Sequence, residues 1–189
     1  IAALKKEFEA VKVGRPWEEG VQVGALVDER QLKKVLSYVD IGKEEGATVI
    51  TGGRRLTEDG LDKGCFMAPT LLGDVTPDMR VAQEEIFGPV AVVIKFHTEE
   101  EALAIANDSV YGLGGAVWTQ DINRAIRVAR GVHTGRMWVN TYNELSAHAP
   151  FGGYKQSGIG RETYLSILSA YTQTKNIFIS LNEKRMGMF

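Results

Sequence analysis

Hydrophobic positions recur at helical spacing in three long segments of this chain, which predicts three amphipathic helices. The first is expected over residues 28–46, where Asp28 and Gln31 form a capping-box pattern ahead of the apolar positions and glycines follow them. The other two are expected over residues 98–112 and 121–131, each opened by a capping residue.

Short apolar runs predict strands, which are expected at residues 48–50, 66–72, 90–96, 114–119 and 136–140. The last three alternate with two of the helices and therefore predict a right-handed βαβαβ unit with parallel pairing. We predict an α/β fold with an open, mostly parallel sheet, in one domain over residues 1–173. A further run at 175–181 predicts a lone strand within a separate segment, 174–189.

Composition narrows the class of protein. The 189 residues are 44% hydrophobic and 24% charged, enough to bury a sizeable core. A formal net charge of -2 gives no reason to propose nucleic acid or an anionic membrane as a partner. A single cysteine excludes an internal disulfide framework and favours a reducing, cytoplasmic compartment. No apolar run approaches the roughly 20 residues of a membrane span.

The most informative segment is the entry to the strand predicted at 90–96. Residues 83–90 place an acidic pair, an aromatic residue and a Gly-Pro step directly before the apolar run. The glycine frees one backbone position and the proline fixes the next. A carboxylate and a ring held side by side suit a ligand that is part polar and part flat, such as a nucleoside. A solvated acidic turn with a buried phenylalanine explains the same residue types.

Two stretches resemble signatures of the aldehyde dehydrogenase superfamily. Residues 83–90 resemble its Glu-x-Phe-Gly-Pro signature, and residues 150–162 resemble its C-terminal signature. Shorter similarities lie at 13–16, 42–47, 68–70, 106–113 and 138–140. The resemblance implies the C-terminal part of a catalytic domain that oxidises an aldehyde to its acid with NAD or NADP. In the family the reaction passes through a thiohemiacetal, hydride transfer and thioester hydrolysis.

The resemblance also implies residues that bind the cofactor. Glu85 would bind the hydroxyls of the nicotinamide ribose, as a carboxylate that accepts two hydrogen bonds can. Phe87 would pack near the nicotinamide, and Glu84 would be the structural partner. Gln31 and Lys34 match positions that approach the cofactor in some members, although an ordinary surface pair explains them as well. The residues that select NAD over NADP belong, in the family, to a nucleotide domain outside this sequence.

Substrate-binding positions are expected in the loop after the strand at 136–140, because ligands of open α/β sheets lie beyond the carboxyl ends of the strands. In the family this loop lines the aldehyde tunnel, which makes Asn143, Glu144, Leu145 and Phe151 the candidates. An ordinary solvated loop explains the first three equally well. His97 and His133 have no cysteine or carboxylate at ligand spacing, so no metal site is predicted.

The sequence contains no candidate catalytic nucleophile. The family nucleophile is a cysteine thiolate some tens of residues before the point where this sequence begins. The single cysteine, Cys65, falls instead in a predicted strand without the cationic surroundings that favour a thiolate. We expect Cys65 to be structural.

Several expectations follow for the protein as a whole. Residues 1–11 have helical spacing and no initiator methionine, so the chain is expected to be part of a longer polypeptide, inactive on its own. Similarity of the tail and of residues 147–150 to some members implies a short aliphatic aldehyde. The strand at 175–181 implies a homodimer or homotetramer, because its family equivalent joins a neighbouring subunit. The alternative is a truncated, non-catalytic module that folds and self-associates without redox chemistry.

Overall fold

A computed structural model describes residues 1–184 and 187, which form two compact units, Ile1–Val110 and Tyr111–Phe189. No division at residue 110 was predicted, since the composition is even on both sides of it. The predicted separation of residues 174–189 from 1–173 stays a prediction.

The first unit alternates helices and strands. Its elements are α1 (Ala2–Ala10), α2 (Glu29–Glu44), β1 (Thr48–Thr51), β2 (Thr70–Gly73), α3 (Arg80–Gln83), β3 (Val90–Val92) and α4 (Glu99–Asn107). A 3-10 segment, Glu58–Lys63, lies between β1 and β2. The sheet has the order β1-β2-β3, with β1 antiparallel and β3 parallel to the central β2.

Helix α2 carries the core of the first unit. The Asp28 carboxylate accepts a hydrogen bond from the Gln31 amide at 2.7 Å, so the predicted cap is confirmed. The apolar stripe of α2 is fully buried. It packs against buried residues of the strands and against the segment around α3. The buried cluster comprises Leu32, Val35, Val39, Ala47, Met67, Leu72, Val75, Met79, Val81 and Ile86.

The second unit contains shorter elements. They are β4 (Tyr111–Gly112), β5 (Gly114–Val117), α5 (Ile122–Gly131), β6 (Arg136–Val139), β7 (Tyr154–Lys155), a 3-10 turn (Leu165–Ile167) and α6 (Leu168–Tyr171). Strands β5 and β6 pair in parallel on either side of α5 in the chain, and β4 pairs antiparallel with β7. The Asp121 side chain caps α5 by accepting from the amides of Asn123 and Arg124.

The α/β class and the parallel pairing are confirmed, but the predicted βαβαβ unit is only partly formed. The described strands make one sheet of three strands and two sheets of two. The segment β5-α5-β6 is a parallel βαβ unit, whereas β3 pairs with β2 instead of β5. Alternating helices and strands predict the type of connection, but they do not identify which strands pair.

The segment after α6 forms no helix or strand within the part of the chain that the structure describes. Its apolar residues Ile177, Phe178 and Ile179 are exposed. Pairing of the predicted strand at 175–181 with another subunit stays a prediction. Among residues 1–184 and 187, no helix is both long and apolar enough to cross a lipid bilayer.

Candidate functional site

The loop between α3 and β3 contains the acidic pair, and its backbone is fixed at both ends. The Glu84 amide donates to the Arg80 carbonyl at 2.8 Å, and the Pro89 carbonyl accepts from the Thr70 amide at 2.8 Å. Ile86 is buried in the core. A Cβ atom at position 88 would overlap the Val35 side chain, which explains why glycine occupies this position.

Phe87 is held in an uncommon conformation. Its φ of 59° lies in the left-handed region, which bulky residues rarely adopt. The side chain is 72% exposed, although an aromatic ring next to a buried core would ordinarily be expected to join it. The loop therefore presents the ring of Phe87 to the surface while Ile86 anchors the backbone inside.

Glu84 is fully engaged by neighbouring side chains. Arg80 donates from Nε at 2.7 Å and from Nη2 at 3.0 Å, one bond to each carboxylate oxygen. The Tyr38 hydroxyl donates to Oε2 at 2.6 Å. The Arg80 guanidinium, followed by the Tyr38 hydroxyl, lowers the pKa of the Glu84 carboxyl to about 2. The carboxylate in turn raises the pKa of Tyr38, so that the phenol keeps its proton.

Glu85 lacks the side-chain contacts that Glu84 makes. Its side chain is exposed, and within residues 1–184 and 187 its carboxylate makes no hydrogen bond or ion pair. Only its backbone is held, because Lys34 Nζ donates to the Glu85 carbonyl oxygen at 3.2 Å. Of the acidic pair, one carboxylate is therefore occupied within the protein and the other is available to a ligand.

Gln31 and Lys34 hold the loop from α2. Gln31 Nε2 donates to the carbonyl oxygens of Phe87 at 2.9 Å and Ile86 at 3.2 Å. With the Lys34 bond to Glu85, three consecutive carbonyl groups of the loop accept bonds from one helix. In this arrangement both side chains face the loop backbone. Their predicted approach to the cofactor stays a prediction.

Cys65 is half-buried and packs against the core of the first unit. Its sulfur lies 3.8 Å from a carboxylate oxygen of Glu29, and its carbonyl accepts from the Leu26 amide at 2.9 Å. A neighbouring carboxylate does not favour a thiolate. The structure therefore places Cys65 in a packing position.

In the second unit, the candidate substrate residues lie on one exposed loop after β6. The Glu144 carbonyl accepts from Arg136 Nη2 at 2.9 Å and from Trp138 Nε1 at 3.0 Å, which ties the middle of the loop to the strand. The Glu144 carboxylate accepts from the Thr141 hydroxyl at 2.9 Å. Asn143 has a φ of 59°, and the Leu145 side chain is 59% exposed. The loop therefore presents Leu145 and Asn143 outward on a fixed backbone.

Phe151 is the second residue of the C-terminal signature, 150–162, and is half-buried. Its amide and carbonyl pair with those of Glu162 at 2.9 and 2.6 Å, which closes residues 151–162 into a loop. Gly135, which lies outside this loop, allows its backbone to come close, since a Cβ atom at Gly135 would overlap the carbonyl oxygen of Gly152. The Ser157 hydroxyl accepts from the Gly112 amide at 2.9 Å. The signature thus positions Phe151 through packing of its own backbone against β4 and the start of β6.

Sequence reasoning missed the residues that support these loops. Tyr38 and Arg80 hold Glu84, and Arg136 and Trp138 hold Glu144. Arg80 had a detectable signal, because it lies four residues before Glu84 in a helical segment. His148 is exposed in the substrate loop. Among residues 1–184 and 187, no three His, Cys, Asp or Glu side chains gather in a way that could hold a metal ion.

Comparison with known proteins gives the family. The model of the aldehyde dehydrogenase family matches residues 1–177. A curated aldehyde dehydrogenase of Deinococcus radiodurans is 50% identical over 184 residues, which are 97% of this chain and 36% of that protein. This chain therefore belongs to the aldehyde dehydrogenase family.

Solved structures agree with this assignment. A betaine aldehyde dehydrogenase of Staphylococcus aureus, crystallised in complex with NAD+, matches 100% of this chain with a TM-score of 0.94 and 41% identity. A mutant aldehyde dehydrogenase of Bacillus cereus matches 96% with a TM-score of 0.90 and 46% identity. The chain spans 37% and 36% of these two proteins. It thus corresponds to somewhat more than a third of the relatives it matches.

Proposed function

We propose that this chain supplies part of the nicotinamide site and the outer substrate wall of an NAD(P)-dependent aldehyde dehydrogenase, within a longer polypeptide. The observation that carries the proposal is the contrast within the acidic pair. Glu84 is bound by Arg80 and Tyr38, whereas Glu85 is exposed without a partner in the described part of the chain. A free carboxylate on a fixed backbone suits a ligand that brings its own hydrogen-bond donors.

The residues present fit a nicotinamide nucleoside. Two vicinal hydroxyl groups of a ribose can each donate to one oxygen of the Glu85 carboxylate. The exposed ring of Phe87 offers an apolar surface two residues away. The dinucleotide, when bound, supplies the electron acceptor of the reaction. The part played by this chain is to bind and orient its ribose end.

Orientation is the main contribution expected of Glu85. When two reactants are held in a fixed geometry, the entropy of bringing them together is already lost on binding. The activation barrier of the reaction can then be lower by several kcal/mol. The carbonyl groups of residues 85–87 accept bonds from Gln31 and Lys34, so the loop is ordered before a ligand binds. Preorganisation of this kind reduces the cost of binding.

The second unit is proposed to line the approach of the aldehyde. Leu145 and the half-buried Phe151 supply apolar surface, while Asn143 and Glu144 supply polar groups at the same loop. An apolar wall with few polar groups favours a small aldehyde with an aliphatic side chain. The nucleophilic cysteine and the residues that choose NAD or NADP are proposed to lie elsewhere in the longer polypeptide. Self-association into a dimer or tetramer is proposed on the family resemblance.

The experiment is the variant Glu85→Gln in the longer polypeptide. This substitution keeps the shape of the side chain. It removes the negative charge of the carboxylate that is proposed to accept hydrogen bonds from the ribose hydroxyls. We expect kcat to fall on the order of 10- to 100-fold, as for the loss of a hydrogen bond to a charged group. Overall NAD affinity should change less, because the rest of the dinucleotide is held by other residues.

The matched control is Glu44→Gln, an exposed acid at the end of α2 whose side chain makes no hydrogen bond or ion pair within residues 1–184 and 187. It should leave all kinetic constants unchanged. Equal kinetics for Glu85→Gln and the control, with a large effect of Glu84→Gln, would show that the wrong carboxylate has been chosen.

A further inference from the structure

Three side chains from two helices converge on the first acid of the pair. Tyr38 lies on α2, and Arg80 begins α3, which ends next to Glu84. Besides its two bonds to the carboxylate, Arg80 places its guanidinium carbon 5.6 Å from the centroid of the Tyr38 ring. Lys34 Nζ lies 5.8 Å from the same centroid. The Tyr38 ring and the Glu84 carboxylate are therefore both flanked by cations.

This cluster connects a short element to a rigid one. Helix α3 has only four residues and would be marginal alone. Helix α2 has 16 residues and a fully buried apolar stripe, so its position is fixed by the core. The Arg80 amide also donates to the Glu45 carboxylate at 2.9 Å, just after α2. Through Tyr38 and Glu45, α2 fixes both the start of α3 and the residue that follows it.

The backbone at Glu84 transmits this constraint to Glu85. Glu84 has φ of -103° and ψ of 148°, which is extended backbone. Consecutive side chains of extended backbone point to opposite sides. Binding the Glu84 carboxylate toward α2 therefore directs Glu85 away from α2 and toward the surface. The cation of Arg80 also compensates the charge of Glu84.

We infer that Tyr38 and Arg80 are positioning residues for the Glu85 carboxylate, acting through Glu84, and that they set its geometry for a ribose diol. This inference rests on the proposed function of Glu85. It adds two residues, on α2 and α3, that do not touch the ligand themselves.

A purely structural role predicts a different result. Exposed ion pairs contribute little to stability. If the cluster existed only for stability, removing the Tyr38 hydroxyl would have a small effect on unfolding and none on kcat. If it positions Glu85, the effect appears in kcat and in the order of the loop.

The test uses Tyr38→Phe and Glu84→Gln in the longer polypeptide. Tyr38→Phe keeps the ring between the cations and removes only the 2.6 Å bond. The matched control is Glu58→Gln, which removes an exposed carboxylate that pairs with Arg54 at the same i,i+4 spacing and 2.7 Å, far from the acidic pair in sequence. The kcat for aldehyde oxidation at saturating NAD, and peptide-level hydrogen exchange over residues 80–89 without cofactor, are measured for each protein.

We expect both test variants to lower kcat on the order of 10-fold, less than the roughly 100-fold that a 1 Å displacement of a reacting group can cost. Exchange over residues 80–89 should become faster in the absence of NAD. Glu58→Gln should change neither quantity. Test variants that match the control in both measurements would overturn the inference.

A double-mutant cycle separates this inference from the proposed function. If Tyr38 acts through Glu85, Tyr38→Phe should have no further effect in the Glu85→Gln background. A full additional effect would mean that Tyr38 acts by another route, and the inference fails alone. No effect of Glu85→Gln itself would remove the proposed function, and the inference with it.

Discussion

The side-chain amide of Gln31 donates a 2.9 Å hydrogen bond to the carbonyl oxygen of Phe87. Gln31 is also the residue whose backbone amide is capped by Asp28 at the start of α2. One residue thus completes the helix cap with its backbone and holds the loop with its side chain. Because Phe87 is in the left-handed region, this bond supports a conformation that the loop would otherwise leave.

Replacement of Gln31 by methionine should therefore loosen the loop. Gln31→Met keeps the length of the side chain and removes two hydrogen bonds to half-buried or exposed carbonyl groups. We expect the free energy of unfolding to fall by about 0.5–1.5 kcal/mol, the usual net contribution of such bonds. Urea denaturation of the 189-residue chain measures it. Lys33→Met, at an exposed neighbouring position of α2, is the control and should stay within about 0.5 kcal/mol of wild type. Equal stability of the two variants would contradict the role of Gln31.

The conformation of Phe87 predicts an unusual order of stability for two substitutions. At a φ of 59°, glycine avoids the steric cost of a Cβ atom, which is about 1–2 kcal/mol in the left-handed region. Phe87→Gly should therefore be more stable than Phe87→Ala by about 1 kcal/mol in urea denaturation, although both lose the ring.

Phe96 supplies the matched comparison. It is also an exposed phenylalanine, and its φ is not positive. There the order should reverse, with alanine more stable than glycine. The same order at both positions would mean that Phe87 is not held in the left-handed conformation in solution.

Removal of the Arg80 guanidinium should raise the pKa of the Glu84 carboxyl from about 2 toward its ordinary value. Arg80 is the largest cause of the depressed pKa, followed by the Tyr38 hydroxyl, and the charge of Lys34 also acts on the same carboxylate. When the pKa of a carboxyl is lower in the folded state than in the unfolded state, its ionisation stabilises the fold. This contribution is complete at pH values above the pKa of the unfolded state, and it is lost as the pH falls toward 2. Carbon NMR titration of the side-chain carboxyl in wild type and Arg80→Met measures the shift. An unchanged titration midpoint would show that Arg80 does not bind Glu84 in solution.

Local patterns predicted the helices well, because the signals for a helix are themselves local. The caps at Asp28, Thr98 and Asp121 each accept the expected backbone amide. Strand pairing was harder to predict, since an apolar run does not identify its partner. The run at 90–96 gives a strand only at Val90–Val92, where the four-residue β2 offers a partner. For the same reason the pairing of β3 with β2 was not predicted. Of the predicted five-element unit, only β5-α5-β6 forms.

The site was predicted from resemblance, and its supporting contacts were not. Glu84 and Glu85 are the same residue type in adjacent positions, so the residue types alone do not tell which one is free. The difference depends on Tyr38, which lies 46 residues earlier in the chain. Contacts of that separation arise only when the helices pack. Arg80 is the exception, since a cation four residues before an acid is a local signal.

The 189-residue chain should have no aldehyde dehydrogenase activity by itself. Nucleophilic catalysis requires a thiolate placed against the carbonyl and an adjacent base, and the only cysteine packs against the core beside a carboxylate. The measurement is NADH formation from acetaldehyde and propanal, with an intact-mass determination of the source protein to compare with 20.8 kDa. Turnover that disappears in Cys65→Ser would show that Cys65 is the nucleophile after all.

Residues 175–181 should pair with another subunit. Ile177 and Ile179 alternate with Phe178, and the Phe178 side chain is 82% exposed in the single chain. An exposed apolar segment is a template for aggregation unless a partner covers it. Light scattering on the longer polypeptide should therefore show at least a dimer.

Two lysines in this segment should weaken the association. Phe178→Lys with Ile179→Lys introduces charges where apolar side chains would be covered, so the protein should shift toward monomer or become insoluble. The control is Gln173→Lys with Thr174→Lys, which adds the same charge just before the segment. It should leave the mass of the assembly, measured by light scattering, unchanged. A soluble Phe178 and Ile179 double variant of unchanged mass would mean that the segment does not form the interface, since two buried charges would each cost several kcal/mol there.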